Sequence, residues 1–266
     1  MKSTSQLFVC VMLSASALCT ASVCQAQSPF DGTWRIDMSQ AKFSPKPIAF
    51  YVSQGWYHCE SCSPVITVPA DGQDHAVTGQ SYDTLSVNVS DPHTLTSIAK
   101  KDGKVISEQT RTVSANGKTL TVKSTSHPMN SDKPVTSQAT AKLVGIAPAG
   151  VHATSGNWQL LNVTASENNL LFTYKSTGDG LTMTDPTGDT YTAKFDGADY
   201  PVKGAYGYDA VSLKRINDHS IEETDKRGGK VIEVATSTVS ADGKSMTVVD
   251  VDKLTDRTST YHAKKQ

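Results

Sequence analysis

The chain has 266 residues, and its 25 Lys and Arg nearly cancel its 26 Asp and Glu to leave a net charge of −1 with histidines neutral. Charges of both signs are interleaved, as in Glu222-Glu223 to Lys226-Arg227, which excludes the one-sided basic surface that nucleic-acid binding requires. Aromatic residues make up only 7%, so any single hydrophobic core is modest.

Residues 1–26 read as a secretory signal peptide: a basic start at Lys2, an apolar run from Leu7 to Cys19 too short to span a bilayer, and a small-residue exit at Ala26. A lipid anchor at Cys24 is the competing reading, although Val23 stands where a small residue is expected. No later segment has the length and apolarity of a transmembrane helix. The mature chain is therefore expected to be exported, periplasmic or extracellular.

From Phe30 onward the period is two. Leu85, Val87 and Val89 alternate with Ser86, Asn88 and Ser90, and Leu120 and Val122 alternate with threonines and Lys123. Such alternation marks half-buried strands. Asp102-Gly103, Asn116-Gly117, Gly228-Gly229 and Asp242-Gly243 separate them, pairs suited to the positive φ of two-residue hairpin turns. Strands adjacent in sequence should thus be adjacent in space. An antiparallel meander of roughly eight strands must close or leave edges that invite aggregation, so closure is expected.

Near the start of this meander lie Cys59 and Cys62, the two cysteines that survive signal removal. In an oxidising compartment they most simply pair as a small disulfide. A thiol redox or metal role is the alternative; His58, Glu60 and His75 could add ligands, but a closed metal site would need a second well-spaced pair. Farther on, Gly145–Thr154 is rich in small residues and reads as a linker.

The chain then repeats itself. Asp102-Gly-Lys-Val-Ile106 returns as Gly228-Gly-Lys-Val-Ile232, and Thr112–Val122 returns as Thr238–Val248, at the common offset 126 (232 − 106 and 248 − 122). Tyr82-Asp83 and His93 recur as Tyr208-Asp209 and His219, and Gly32-Thr-Trp34 as Gly156-Asn-Trp158. An internal duplication is implied, with copies over 30–144 and 155–265. The linker favours two tandem antiparallel meander barrels over one larger shared sheet. The repeated histidines follow turn residues and are expected to hydrogen-bond their own loops.

The segment Gly32-Thr-Trp-Arg-Ile-Asp-Met-Ser-Gln-Ala-Lys-Phe-Ser-Pro-Lys-Pro47 resembles the opening of an uncharacterised group of exported bacterial lipocalin-like β-barrel proteins. Asp196-Gly-Ala-Asp-Tyr-Pro-Val-Lys-Gly204, Ala210–Ile216 and Val239–Val248 resemble its later segments. The resemblance implies an all-β lipocalin-like barrel, with Gly32 and Gly156 bending the chain and Trp34 and Trp158 plugging the barrel bases. It transfers no activity. A Thr-Asp-Tyr turn is absent, and Arg257 is the candidate for the late arginine that stacks on the tryptophan.

No Gly-x-Ser-x-Gly elbow, His-Glu-x-x-His helix, phosphate loop or dinucleotide fingerprint occurs. The reading is a non-enzymatic exported protein without cofactor or metal whose barrel binds a small apolar molecule. The alternatives are an envelope-associated interaction module with two contact faces on a tether, and the thiol or metal protein built on Cys59 and Cys62.

Overall fold

The computed structural model describes residues 28–266; the signal peptide expected over 1–26, with Cys24, lies outside the described residues. The first copy supplies β1 (Gly32–Ile36), β2 (Ile48–Ser53), β3 (Trp56–Cys59), β4 (Ile66–Pro69) and β5 (Asp71–Ala76), then β6 (Thr84–Asp91), β7 (Thr94–Lys101), β8 (Lys104–Val113), β9 (Thr119–Ser126) and β10 (Val135–Val144). The second supplies β11 (Gly156–Ala165), β12 (Leu171–Ser176), β13 (Gly180–Thr184), β14 (Thr190–Lys194) and β15 (Tyr200–Lys203), then β16 (Ala210–Asn217), β17 (Ser220–Arg227), β18 (Lys230–Val239), β19 (Ser245–Asp252) and β20 (Arg257–Lys265). All ladders are antiparallel, and they form two ten-stranded sheets.

The expected alternation is realised in part, since Ser86 is also buried at 7% and Val89 is exposed at 39%. Leu85 and Val87 are buried and Asn88 is exposed on β6, as Val211 and Leu213 are buried and Lys214 is exposed on β16. Asp102 and Gly103 both adopt positive φ, +50° and +75°, as do Gly228 and Gly229 at +56° and +78°. These are two-residue turns between β7 and β8 and between β17 and β18. Asn116-Gly117 and Asp242-Gly243 differ: only the glycine is left-handed, and each pair sits in a longer loop closed by Ser114 and Ser240 hydroxyls on the Thr119 and Ser245 amides.

The two barrels do not coincide with the two copies. β1 leaves its own copy and pairs with β12 and β20, closing the barrel β1 plus β12–β20. β11 makes the reverse exchange and pairs with β10 and β2, completing a barrel of β2–β10 plus β11. The contiguous boundaries 30–144 and 155–265 are therefore corrected. Segment 145–154 is not a linker between barrels but a loop inside the first, joining hydrogen-bonded β10 and β11. The chain instead crosses between barrels at 37–47 and 166–170. Connection length does not select this pairing, since β10 and β11 are joined by the longer connection 145–155 and β11 and β12 by the shorter 166–170. Two shared strands also mean that the barrels are not modules on a flexible tether.

Both crossings leave β1 and β11 by a short 3-10 turn, Met38–Gln40 and Glu167–Asn169. Arg35 Nη2 and Nε donate to Glu167 Oε1 and Oε2 at 2.7 and 3.0 Å, a bidentate pair from β1 to the crossing 166–170. The second barrel is fully closed. The first is open along one seam, where β4 and β5 are the sheet edges and Ala70 alone joins them.

Strand direction alternates, so the loops sort into two ends. At one end of the first barrel lie the turn 54–55, the loop 114–118 and the loop 145–155, next to Trp158; this is its base. The crossings, the disulfide loop 60–65, the loop 77–83 and the loop 127–134 lie at the other end, its mouth. The second barrel approaches this mouth. Arg257 Nη2 donates to Pro47 O at 2.8 Å, Lys46 Nζ to Thr255 O at 2.7 Å, and Arg227 Nη2 to Gly79 O at 3.1 Å.

Candidate functional site in the first barrel

A glycine and a tryptophan lie at the base of each barrel, and the exchange gives each tryptophan to the other copy's barrel. Trp158 closes the first barrel and Trp34 the second, at 1% and 0% exposure. Both indoles donate to a carbonyl four residues earlier, Trp158 to Thr154 at 2.9 Å and Trp34 to Phe30 at 2.8 Å, so neither polar atom is buried unpaired. Gly156 has φ +145° and a Cβ there would lie 2.6 Å from Leu143 Cδ1. Gly32 has φ +125° with Lys265 alongside. Lys265 Nζ stands 4.9 Å from the Trp34 ring centroid, so the cation over the base tryptophan is Lys265. Arg257 instead reaches the first barrel's mouth.

Cys59 and Cys62 are disulfide-bonded, with sulfurs 2.00 Å apart. The bond ties the end of β3 to the loop 60–65 at the mouth. His58 faces away from Cys59, as the pleat requires, and meets Thr67 Oγ1 at 3.1 Å, while His75 pairs with Asp71. Neither joins the cysteines. Among the described residues no group of three or more His, Cys, Asp or Glu is arranged to hold a metal ion.

His93 and His219 sit in their turns, where their amides donate to Asp91 Oδ1 and Asn217 Oδ1 at 2.8 and 2.9 Å. Asp83 and Asp209 accept from the amides of Asp102 and Gly228, both at 2.8 Å, so each fastens a hairpin turn. Tyr82, beside Asp83, lines the mouth. Burial first of all, with the neighbouring Tyr57, pushes its hydroxyl up to about 12.

Above Trp158 the first barrel holds a cavity of about 710 Å³. Phe50, Tyr57, Leu85, Ile106, Leu120 and Trp158 form its apolar wall, and Ser61, Cys62, Ser81, Tyr82, Asp252 and Arg257 lie around its mouth. Its one deep charge is Arg111, on the inward face of β8 with Ser107, Gln109 and Val113. Arg111 Nη1 donates to Ser97 Oγ at 3.0 Å and Nη2 to Gln109 Oε1. The guanidinium carbon lies 5.4 Å from the Phe50 ring centroid. Among the described residues none of the ion pairs includes Arg111.

The same positions in the second barrel carry opposite chemistry. At offset 126, Ser97, Ala99, Ser107 and Arg111 become Glu223, Asp225, Glu233 and Ser237. Burial raises the Glu223 carboxyl above the usual range, even though it accepts a 2.5 Å hydrogen bond from Tyr191 Oη. Asp225 is raised by burial and then by Glu223, Glu233 by burial and then by Asp250, and Asp250 itself by burial. Nearby Asp189 is pushed to about 6 by burial, then by Asp185. Tyr174 and Tyr191 are raised well above the normal range by burial and next by the Glu223 charge.

Arg111 and the carboxylate group were missed in the sequence. The available signal was a charged residue on the inward alternate of a strand: Arg111 in line with Val113, and Glu223 and Asp225 in line with Ile221. Which alternate faces inward is clear only once the buried set is known. Comparison with protein-family models, with curated proteins and with solved structures found no match for this chain.

Proposed function

We propose that this protein is an exported, non-enzymatic, lipocalin-like binding protein whose first barrel takes up a small, largely apolar molecule. The observation that carries the reading is the apolar-walled cavity of about 710 Å³ between Trp158 and the mouth. Its volume falls within the range of about 300–1,000 Å³ typical of small-molecule sites, and its wall has their make-up, hydrophobic and aromatic with a few placed polar groups. The unpaired seam between β4 and β5 and the mouth beside the loops 60–65 and 77–83 offer routes of entry. The signal-like start and the Gly-x-Trp openings support the location and the barrel comparison.

Native mass spectrometry of mature protein purified without stripping, joined to titration with a fluorescent apolar probe, tests this. A releasable extra mass, or saturable probe uptake abolished by filling the cavity with Ala99→Phe, is expected. A bare chain that takes up no probe would overturn the reading.

A further inference from the structure

We infer that the molecule held in the first barrel is an amphiphile bearing a single carboxylate, bound with its anionic head on Arg111 and its tail along the apolar wall. The inference rests on the ligand-binding reading above and specifies its chemistry.

The argument begins with the state of Arg111. A guanidinium has five N–H donors in a planar fork and cannot be deprotonated. Two are directed to neutral acceptors, Ser97 Oγ and Gln109 Oε1. Among the described residues the others have no hydrogen-bonded protein partner and no carboxylate lies within ion-pair distance. A charge in apolar surroundings is costly unless paired. The Phe50 face offsets part of that cost but supplies no counter-charge. Ser97 and Gln109 hold the fork in place, which is how a planar anion is met by two parallel hydrogen bonds.

The barrel does not need an arginine here. The duplicated position is Ser237, in a barrel closed all the way round. Arg111 is therefore not a requirement of strand pairing or closure. The second lumen also excludes the same ligand, because Glu223, Asp225 and Glu233 replace Ser97, Ala99 and Ser107 and would repel an anion. One anionic amphiphile per chain follows. The depth of Arg111, on β8 opposite Leu95 and close to the base, places the head inward and the tail toward the mouth.

The test titrates the full mature chain with cis-parinaric acid and with its methyl ester, at a pH where the acid is ionised. Wild type should bind the acid about 10- to 100-fold more tightly than the ester, the range of a charge-assisted pair, at one site per chain. Arg111→Met should reduce the acid to the affinity of the ester and leave the ester unchanged, and Arg111→Lys should restore part of the difference. Equal affinity of acid and ester in wild type would overturn the carboxylate assignment and leave the binding reading standing. If neither binds to a chain whose circular dichroism shows it folded, both fall. The wild-type comparison needs no variant, so a poorly folding Arg111→Met does not remove the test.

Discussion

The buried carboxylates of the second barrel fix the sign of its pH dependence. Glu223 with Asp225 and Glu233 with Asp250 form two neighbouring pairs, all raised first by burial. In the unfolded chain these groups have ordinary values near 4 and are ionised above about pH 5.5. In the folded chain burial keeps these groups protonated to higher pH than in the unfolded chain. The folded state then binds more protons, so stability falls as pH rises. Each excess proton lowers it by about 1.4 kcal/mol per pH unit, and two give about 3 kcal/mol per unit as an upper figure, since all four residues are only partly buried and solvent screens part of it. For a chain of this size that is a fall in Tm of up to about 5–10 °C per pH unit. The contribution is present in full near the ordinary carboxylate pKa and is lost as pH climbs through the raised values. Asp189, pushed to about 6, adds in the same direction. Thermal melts by circular dichroism between about pH 5.5 and 7 check this, with Asp225→Asn plus Glu233→Gln expected to flatten the slope. A wild-type Tm that rises across this window, or a slope the double variant leaves intact, would refute the reasoning.

Cleavage inside 145–154, for example at a protease site beside Ile146, which is 93% exposed, should leave the two fragments together on gel filtration, because β1 and β11 are exchanged; separation would show that each copy closes on itself. Gly156→Ala should destabilise by about 1–3 kcal/mol in urea unfolding, through its positive φ and the 2.6 Å approach to Leu143. Gly55→Ala, at φ +78° with open space around it, should cost less, and equal losses would discount the Leu143 contact. Replacing both Cys59 and Cys62 with serine should lower stability by about 2 kcal/mol through loop entropy; an unchanged urea midpoint would show that the bond constrains nothing.

Much of the architecture could be read from the order of residues. Strand alternation, the Asp102-Gly103 and Gly228-Gly229 turns and the Cys59–Cys62 pair are local: each depends on the pleat, on positive φ or on a spacing of three, and a one-dimensional string carries all of these. The duplication was equally plain, and with it the pairing of Trp34 with Trp158 as base residues. What the string could not carry was which barrel each tryptophan would close. β1 and β11 have nearly the same sequence pattern, so either satisfies either opening, and the choice between self-closure and exchange is visible only in the strand pairing of the folded chain. The same limit hid the functional chemistry. Arg111 on β8 and Glu223 on β17 look like ordinary strand charges until closure decides which alternates face the lumen. Barrel closure converts a period of two into an inside and an outside, and it is this step that places a lone cation in an apolar cavity and a group of carboxylates in its twin.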